Sequence, residues 1–597
     1  MGSMRHIVFR GLICLAGLLA GCGQHLPQQA LKVYHHSLDE APTTLDPAHA
    51  ATTYTGFLVV NAYDTLYSYK YLARPYELKP NLAAAMPTVS DDGLVYTIPI
   101  NKGVHFINDP AFPGGKGREV TAADVIYSLE RHFDPATRSQ GRWLWQDRIE
   151  GLDAWHDAGA DYAQPVAGLE AVDSHTLRIT LTRPYPQFVY TLASPFSAVV
   201  PHEAVEKYGS ELAVHPVGSG PFKVTTFDST KAVLEPNSDW RWKPVDLAAE
   251  GYDPATEGGL GLEAIDGRTP PFVDSVEVDF VGESSARWNS FTKGDELQYT
   301  LVPNEQADNL LAGKHPVTLK PEYASKYHAR DYLEAGLVYL GFNLDDPAIG
   351  YNHDPERQRR NRALRCAIRK AYDWHAHNRK FQFGLGEIFP GVIPPMLKEY
   401  PEDLSRQSVT RDLAGARKLL EENGWNADSL PVLTYGYASS VKERQAFEQF
   451  RGFLEDIGYP ADKVQGRPYA SFGEYSRALK QQEVKVFYLS WLLDYPDAQN
   501  ILQLFYGPHG SPGSNNTNYD NPDYDALYDQ ASVMPPSEHR EELYQRMNRM
   551  LIDDCAVISG LARRRIMMWH DDVIALPDQG IVGGYFLKYV ALKKDGG

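Results

Sequence analysis

Cysteine is scarce, with four in 597 residues, too few for a disulfide framework to organise a chain of this size. After residue 20 no apolar run approaches the ~20 residues that a membrane-spanning helix needs. Basic residues are outnumbered, 58 Lys and Arg against 77 Asp and Glu, and such a body lacks the basic stripes that nucleic acid requires. No low-complexity linker divides the chain, which points to domains joined by several strand crossings. Catalytic signatures are missing as well. Gly218-Ser219-Gly220 is not a nucleophile elbow, because Val217 and Pro221 occupy the flanking positions. Gly114-Gly115-Lys116-Gly117-Arg118 lacks the Walker spacing and the Ser or Thr after Lys. His35-His36 and His375-Ala376-His377 are pairs without the third and fourth ligands of a metal site. Packed or solvated imidazoles account for them, and neither a metal nor a cofactor is expected.

What is there begins at the amino end. Met1-Gly2-Ser3 reads as an added leader before a natural start at Met4. Arg5 and Arg10 give a short positive region, and Gly11 to Ala20 is apolar. That run suits a signal-peptide core and is too short to cross a bilayer. It ends in Leu19-Ala20-Gly21-Cys22, a lipobox that resembles those of bacterial lipoproteins. The resemblance implies cleavage before Cys22, lipid on Cys22, and a tether from Gly23 to Gln29. An ordinary signal peptide containing a Cys is the plainer alternative. Gly23 does not match the Asp that retains some Gram-negative lipoproteins at the inner membrane, so outer-membrane attachment stays open.

The remaining chain is too long for one core, and two or three lobes are expected. Its formal charge, −19 overall, becomes more negative once the leader arginines are removed. The 36 Tyr supply apolar area with a hydrogen-bonding tip, which suits a site for varied polar ligands. Cys366 and Cys555 fall in separate helix-like, apolar segments. Pairing is open in an oxidising compartment, but two buried free thiols are the preferred expectation.

Strands are expected at 31–34, 94–100 and 176–182, where apolar and polar residues alternate. A helix is expected from Gly56 to Leu66. Thr121 with Asp124 forms a variant capping box for a helix to about Arg131. Thr410 is expected to cap a helix that buries Leu413, Ala416, Leu419 and Leu420 and closes at Gly424. Ser537 opens another with Leu543, Met547 and Leu551 on one face. Arg241 to Thr269 is polar, Gly-rich and weakly periodic, and reads as an insertion. The whole is a mixed α/β protein.

These segments then line up in order. Leu45-Asp46-Pro47 precedes Tyr63-Asp64-Thr65-Leu66-Tyr67. Thr121-Ala122-Ala123-Asp124-Val125 leads into Tyr127-Ser128-Leu129-Glu130-Arg131, and Pro216-Val217-Gly218-Ser219-Gly220-Pro221-Phe222 follows. Tyr339-Leu340-Gly341-Phe342-Asn343, Trp491-Leu492-Leu493-Asp494-Tyr495-Pro496-Asp497 and Asn521-Pro522-Asp523-Tyr524 come later. From about residue 40 to 560 the set resembles bacterial extracellular solute-binding proteins of the oligopeptide and dipeptide type, family 5, which serve ABC importers. The resemblance implies a bilobal α/β periplasmic-binding-protein fold of type II, large class with an extra domain, and mixed sheets with flanking helices. It implies a signal at 1–21, a lipidated tether at 22–30, domain I at 31–75, 196–326 and 556–597, domain II at 76–195, and domain III at 327–555. Domains I and III would close about a hinge on the ligand.

Asp494 matches the family acid that pairs with a ligand α-ammonium; the plainer alternative is a helix cap. Tyr488, Leu489, Ser490 and Trp491 match the edge strand on which an extended peptide adds by backbone hydrogen bonds; a packed core strand is the plainer alternative. Tyr495 follows, Thr53 and Tyr54 fall on the opposite wall, and Asn343 belongs to the Tyr-rich strand. Charged family positions are lost at Ala51, Gly341 and Tyr488, and no residue is assigned to a ligand carboxylate. The expected function is a lipid-anchored, monomeric binding protein that delivers peptides or peptide-like ligands to a membrane permease. The same fold with an opine, sugar, metal chelate or lipid-like ligand is the alternative. A hydrolase or a transporter-free sensor is the outlying reading.

Overall fold

The computed structural model describes residues 31–293, 297–574 and 584–593. The expected signal, the lipobox and Cys22 lie outside them.

Four hydrophobic clusters lie among the described residues, a small one around Phe291, Leu310 and Met568 and three larger cores. The first of the larger cores lies around a sheet in which Val33–Leu38 runs parallel to Ser275–Phe280, followed by Lys231–Pro236 and Phe222–Phe227. Tyr34, Leu234, Val276 and Val278 are buried there. A second core fills the stretch from Ala50 to Val217 over the sheet of Thr88–Val89, Val95–Pro99, Thr176–Thr180 and Leu169–Asp173. The third surrounds a six-stranded mixed sheet in the order Glu387–Ile388, Val557–Ala562, Gly336–Phe342, Val486–Leu492, Leu433–Ala438, Val464–Tyr469. Helices bury their apolar stripes against it. Glu538–Asp553, for example, places Leu543, Met547 and Leu551 inward.

Local signals explain most element starts. The Thr121 N–H donates to the Asp124 carboxylate at 2.8 Å, opening Ala122–Glu130. Ser537 accepts the Arg540 N–H at 3.3 Å at the start of Glu538–Asp553. Several boundaries differ from expectation, and the strand expected at 31–34 runs Val33–Leu38. The helix expected over 56–66 is Thr53–Ala62, because Thr52 accepts the Thr55 N–H at 3.1 Å and fixes an earlier start. Asp412, not Thr410, caps Leu413–Glu422, accepting the Gly415 N–H at 2.8 Å. Thr410 instead closes a preceding short turn by donating to the Arg406 carbonyl at 2.8 Å. The polar stretch 241–269 is built into the first core through Leu247, Leu262 and Ile265. Its periodicity is weak because its helices, Pro254–Glu257 and Leu262–Ile265, are one turn each.

The two thiols are not free. Cys366, in the helix Pro355–Ala371, is disulfide-bonded to Cys555, which follows Glu538–Asp553. Sequence placed them in unrelated segments. The fold brings the segments together, and the Arg365 guanidinium donates to the carbonyls of Cys555 and Asp554 at 3.3 and 3.2 Å.

Two adjacent strands carry the chain between lobes. Tyr327–Leu333 pairs with Arg564–His570 in one sheet, and Gly336–Phe342 pairs with Val557–Ala562 in the six-stranded one. The crossing is narrow: the Glu334 N–H donates to the Arg563 carbonyl at 2.8 Å.

Candidate ligand-binding site

A cavity of about 800 Å³ opens between the lobes beside this crossing, within the ~300–1,000 Å³ common for small-molecule sites. One wall is the end of the first strand, Ser37 to Asp39, with Thr53, Tyr54 and Phe57 of the following helix. The other holds Phe381, Lys442, Gln445, Leu492 and Leu493. Tyr332, Glu334, Arg563 and Arg565, at the crossing, form the floor.

The charge of the cavity runs against that of the chain. Five cations, Arg287, Lys380, Lys442, Arg563 and Arg565, line it with three acids, Asp39, Glu305 and Glu334, in a chain of net charge −19. Glu334 takes both floor guanidiniums, from Arg563 Nε at 2.5 Å and Arg565 Nε at 2.6 Å. Burial alone would raise its carboxyl, but the two guanidiniums outweigh burial and hold it below the usual range. Burial lowers the Lys442 ammonium. Burial, with Asp39 nearby, pushes the Tyr54 hydroxyl up to about 12, so it remains a donor at neutral pH.

The strand Val486–Leu492 has an open edge. Gly336–Phe342 pairs with it along its length, whereas Leu433–Ala438 reaches only Val486 and Phe487. At Tyr488 the Tyr475 hydroxyl takes over, accepting the Tyr488 N–H and donating to its carbonyl, both at 3.1 Å. Leu489, Ser490 and Trp491 beyond it have no strand on that side among the described residues, and Leu492 is exposed on the cavity wall.

Of the residues expected from sequence, Thr53 and Tyr54 line the cavity and Trp491 and Asp494 bracket the lining pair Leu492 and Leu493. Asp494 is half-buried. Asn500 Nδ2 donates to its carboxylate at 3.0 Å, and no cation pairs with it among the described residues. Burial pushes its carboxyl up to about 6. The Trp491 indole N–H donates to Asn500 Oδ1 at 2.9 Å. Tyr488, Leu489 and Ser490 do not line the cavity, and Tyr495 and Asn343 are turned away from it. Tyr495 is buried against the second core, its hydroxyl 2.9 Å from that of Tyr185. Asn343 lies at the far end of its strand, accepting from Asn518 at 3.2 Å.

One lost family charge, at Gly341, has a packing reason. A side chain at Gly341 would overlap the Phe487 ring. Tyr488 packs near the His377 ring, 5.8 Å away, while Ala51 is exposed. The histidine pairs do not converge. His36 is stacked between Phe57 and Tyr299 at 4.9 and 4.7 Å, and burial lowers it to about 3. His375 and His377 lie on one short helix, Trp374–Phe381, where such spacing points side chains apart. Sequence reasoning missed the cationic floor, although Arg563-Arg564-Arg565 inside a β-patterned segment was a visible signal.

The model for bacterial extracellular solute-binding proteins, family 5 (middle), matches residues 77–513. Glutathione-binding protein GsiB of Escherichia coli (strain K12) is 25% identical over 515 residues, spanning 84% of this chain and 83% of its own length. DppA from Helicobacter pylori, solved in complex with the peptide STSA, superposes with a TM-score of 0.69 at 23% identity, covering 94% of this chain and 98% of its own. HbpA2 from Haemophilus parasuis superposes with a TM-score of 0.72 at 19% identity, covering 94% of this chain and 100% of its own.

Proposed function

The chain belongs to the bacterial extracellular solute-binding proteins of family 5, and from that premise we propose that it captures short peptides or peptide-like acids for an ABC importer. The observation that carries this reading is the cavity itself: a cationic floor in an acidic protein, beside an open strand edge. A ligand backbone adds to the edge at Ser490 and Trp491, whatever its side chains. A ligand carboxylate meets Arg563 and Arg565, where charge-assisted, forked bonds form. Asp494 has no paired cation among the described residues, and a ligand ammonium supplies one. The peptide complex of DppA and the glutathione binding named for GsiB support this ligand class. Delivery to a permease, action as a monomer, and anchoring through lipid on Cys22 complete the proposal. Replacing Cys22 with Ser should release the protein from membranes into the soluble fraction.

The test is calorimetric titration with trialanine, its C-terminal amide, its N-acetyl form and glutathione. Free peptide or glutathione should bind, and amidation should weaken binding at least tenfold. Equal binding of the amide and the free acid removes the floor from the proposal. A second reading, a non-peptide ligand on the same fold, is favoured by the loss of charged family positions at Ala51, Gly341 and Tyr488. Native mass spectrometry of protein from its host separates the two. Masses that decompose into amino acids support peptides, and one discrete non-peptide mass supports the alternative.

A further inference from the structure

A second cavity, of about 280 Å³, shares no lining residue with the cleft. It forms where the segment from Trp240 to Asp246 folds over the strand Leu78–Pro80, beside Lys588 and Tyr589. Most of its polar groups are committed. Lys79 Nζ pairs with Glu250 and donates to the Tyr589 hydroxyl at 2.8 Å. Arg241 forks onto Asp64 at 2.7 and 3.0 Å and donates to Asn81 at 2.7 Å.

Two lining groups that are not exposed are uncommitted. Ser68, 1% exposed, lines the cavity with no hydrogen-bond partner for its hydroxyl. Lys588 Nζ has no ion pair or hydrogen bond among the described residues. It stands over the rings of Trp240 and Tyr589, at 5.4 and 5.2 Å. Charges around it do not balance. Lys79, Arg241 and Lys588 face Glu250 and Asp64, and the other charged lining residues, Lys243 and Asp246, offset each other.

We propose that this cavity is a binding site for a small carboxylate anion, held by Lys588 and Ser68 beside the Trp240 ring. A monoanion supplies the missing charge, and its oxygens accept from both uncommitted donors. A half-buried ammonium held only by two ring faces gains from a charged partner. The volume, about 280 Å³ and just under the ~300 Å³ lower edge of small-molecule sites, admits a small organic acid. Burial foremost, then the charges of Lys79 and Arg241, outweigh Glu250 and Asp64 and lower the Lys588 ammonium to about 7. The amine is therefore charged below that pH and neutral above it. Anion affinity should rise about tenfold from pH 8 to pH 6, where a carboxylic acid of pKa ~4–5 is still ionised.

The test is tryptophan fluorescence of the soluble chain titrated with sodium acetate against sodium chloride at constant ionic strength. Wild-type protein should give a saturable change with acetate only, stronger at pH 6. K588M should weaken binding at least tenfold, S68A several-fold, and W240F should remove most of the signal. K588R keeps the charge and does not titrate here, so its acetate affinity should be independent of pH between 6 and 8. No saturable response, an equal response to chloride, or a response that K588M leaves intact overturns the proposal. Should K588M fail to fold, a pH-dependent K588R overturns it equally.

Discussion

The Asn500 carboxamide grips Asp494 from two sides. Its Nδ2 donates to the Asp494 carboxylate at 3.0 Å, while its Oδ1 accepts the Asp494 backbone N–H at 3.2 Å. The same Oδ1 accepts the Trp491 indole N–H at 2.9 Å. One side chain therefore fixes both the strand end and the acid without neutralising the acid.

That acid should leave a signature in stability against pH. Burial raises the folded carboxyl from 3.8 to about 6, so the folded state binds its proton more tightly than the unfolded state. The protonated form's advantage is complete below pH ~4 and is lost as pH rises through 6. Relative to Asp494→Asn, wild type should gain stability on going from pH 7 to pH 4, by up to roughly 3 kcal/mol. Urea unfolding of both proteins at the two pH values measures it, and parallel pH profiles would count against the burial argument.

Glu334 would compete with the proposed ligand acid for the floor. Glu334→Gln should free Arg563 and Arg565 and tighten binding of a carboxylate ligand several-fold, at a stability cost of about 1–2 kcal/mol for the partly exposed pairs. Arg563→Met should weaken the same ligand tenfold or more. Titration of both variants with one peptide decides it; a weaker E334Q would show that Glu334 positions the guanidiniums for the ligand.

Restoring the family acid at position 341 should fail. Gly341→Asp drives a carboxylate into the Phe487 ring and should cost more than ~3 kcal/mol, the range for overpacking joined to a buried unpaired charge. The double change Gly341→Asp with Phe487→Ala should recover part of that loss. Chemical denaturation of the two variants reads both effects.

The Cys366–Cys555 disulfide spans a sequence separation of 189 residues. Loop-closure entropy alone gives about 5 kcal/mol for such a span, and measured losses are commonly 2–5. The Cys366→Ala, Cys555→Ala double variant should melt lower by several degrees, with the loss matched in wild type by reducing agent. Calorimetry with and without reductant checks it.

The sequence exposed the fold better than the site. Thr121 with Asp124 and Ser537 with Arg540 are local contacts, so their helices could be read from neighbouring residues. Thr53 and Tyr54 were placed by motif order and do line the cleft. The floor could not be read this way: Glu334 meets Arg563 and Arg565 across more than two hundred residues. The disulfide was misjudged for the same reason, since an apolar setting says nothing of what lies opposite. Tyr495 carried the right motif and faces the wrong body, because its hydroxyl finds Tyr185.

The narrow crossing at Glu334 and Arg563 also sets an order of events. Points near a pivot travel least when one arm turns against another, and points far out sweep the widest arc. Any rotation of the lobes about these two strands therefore shifts the floor little and the walls at Tyr54 and Leu492 much more. An acid of the class proposed above would meet its charge partners already in their final arrangement and be enclosed afterwards, so arrival should respond to ionic strength and departure to the walls.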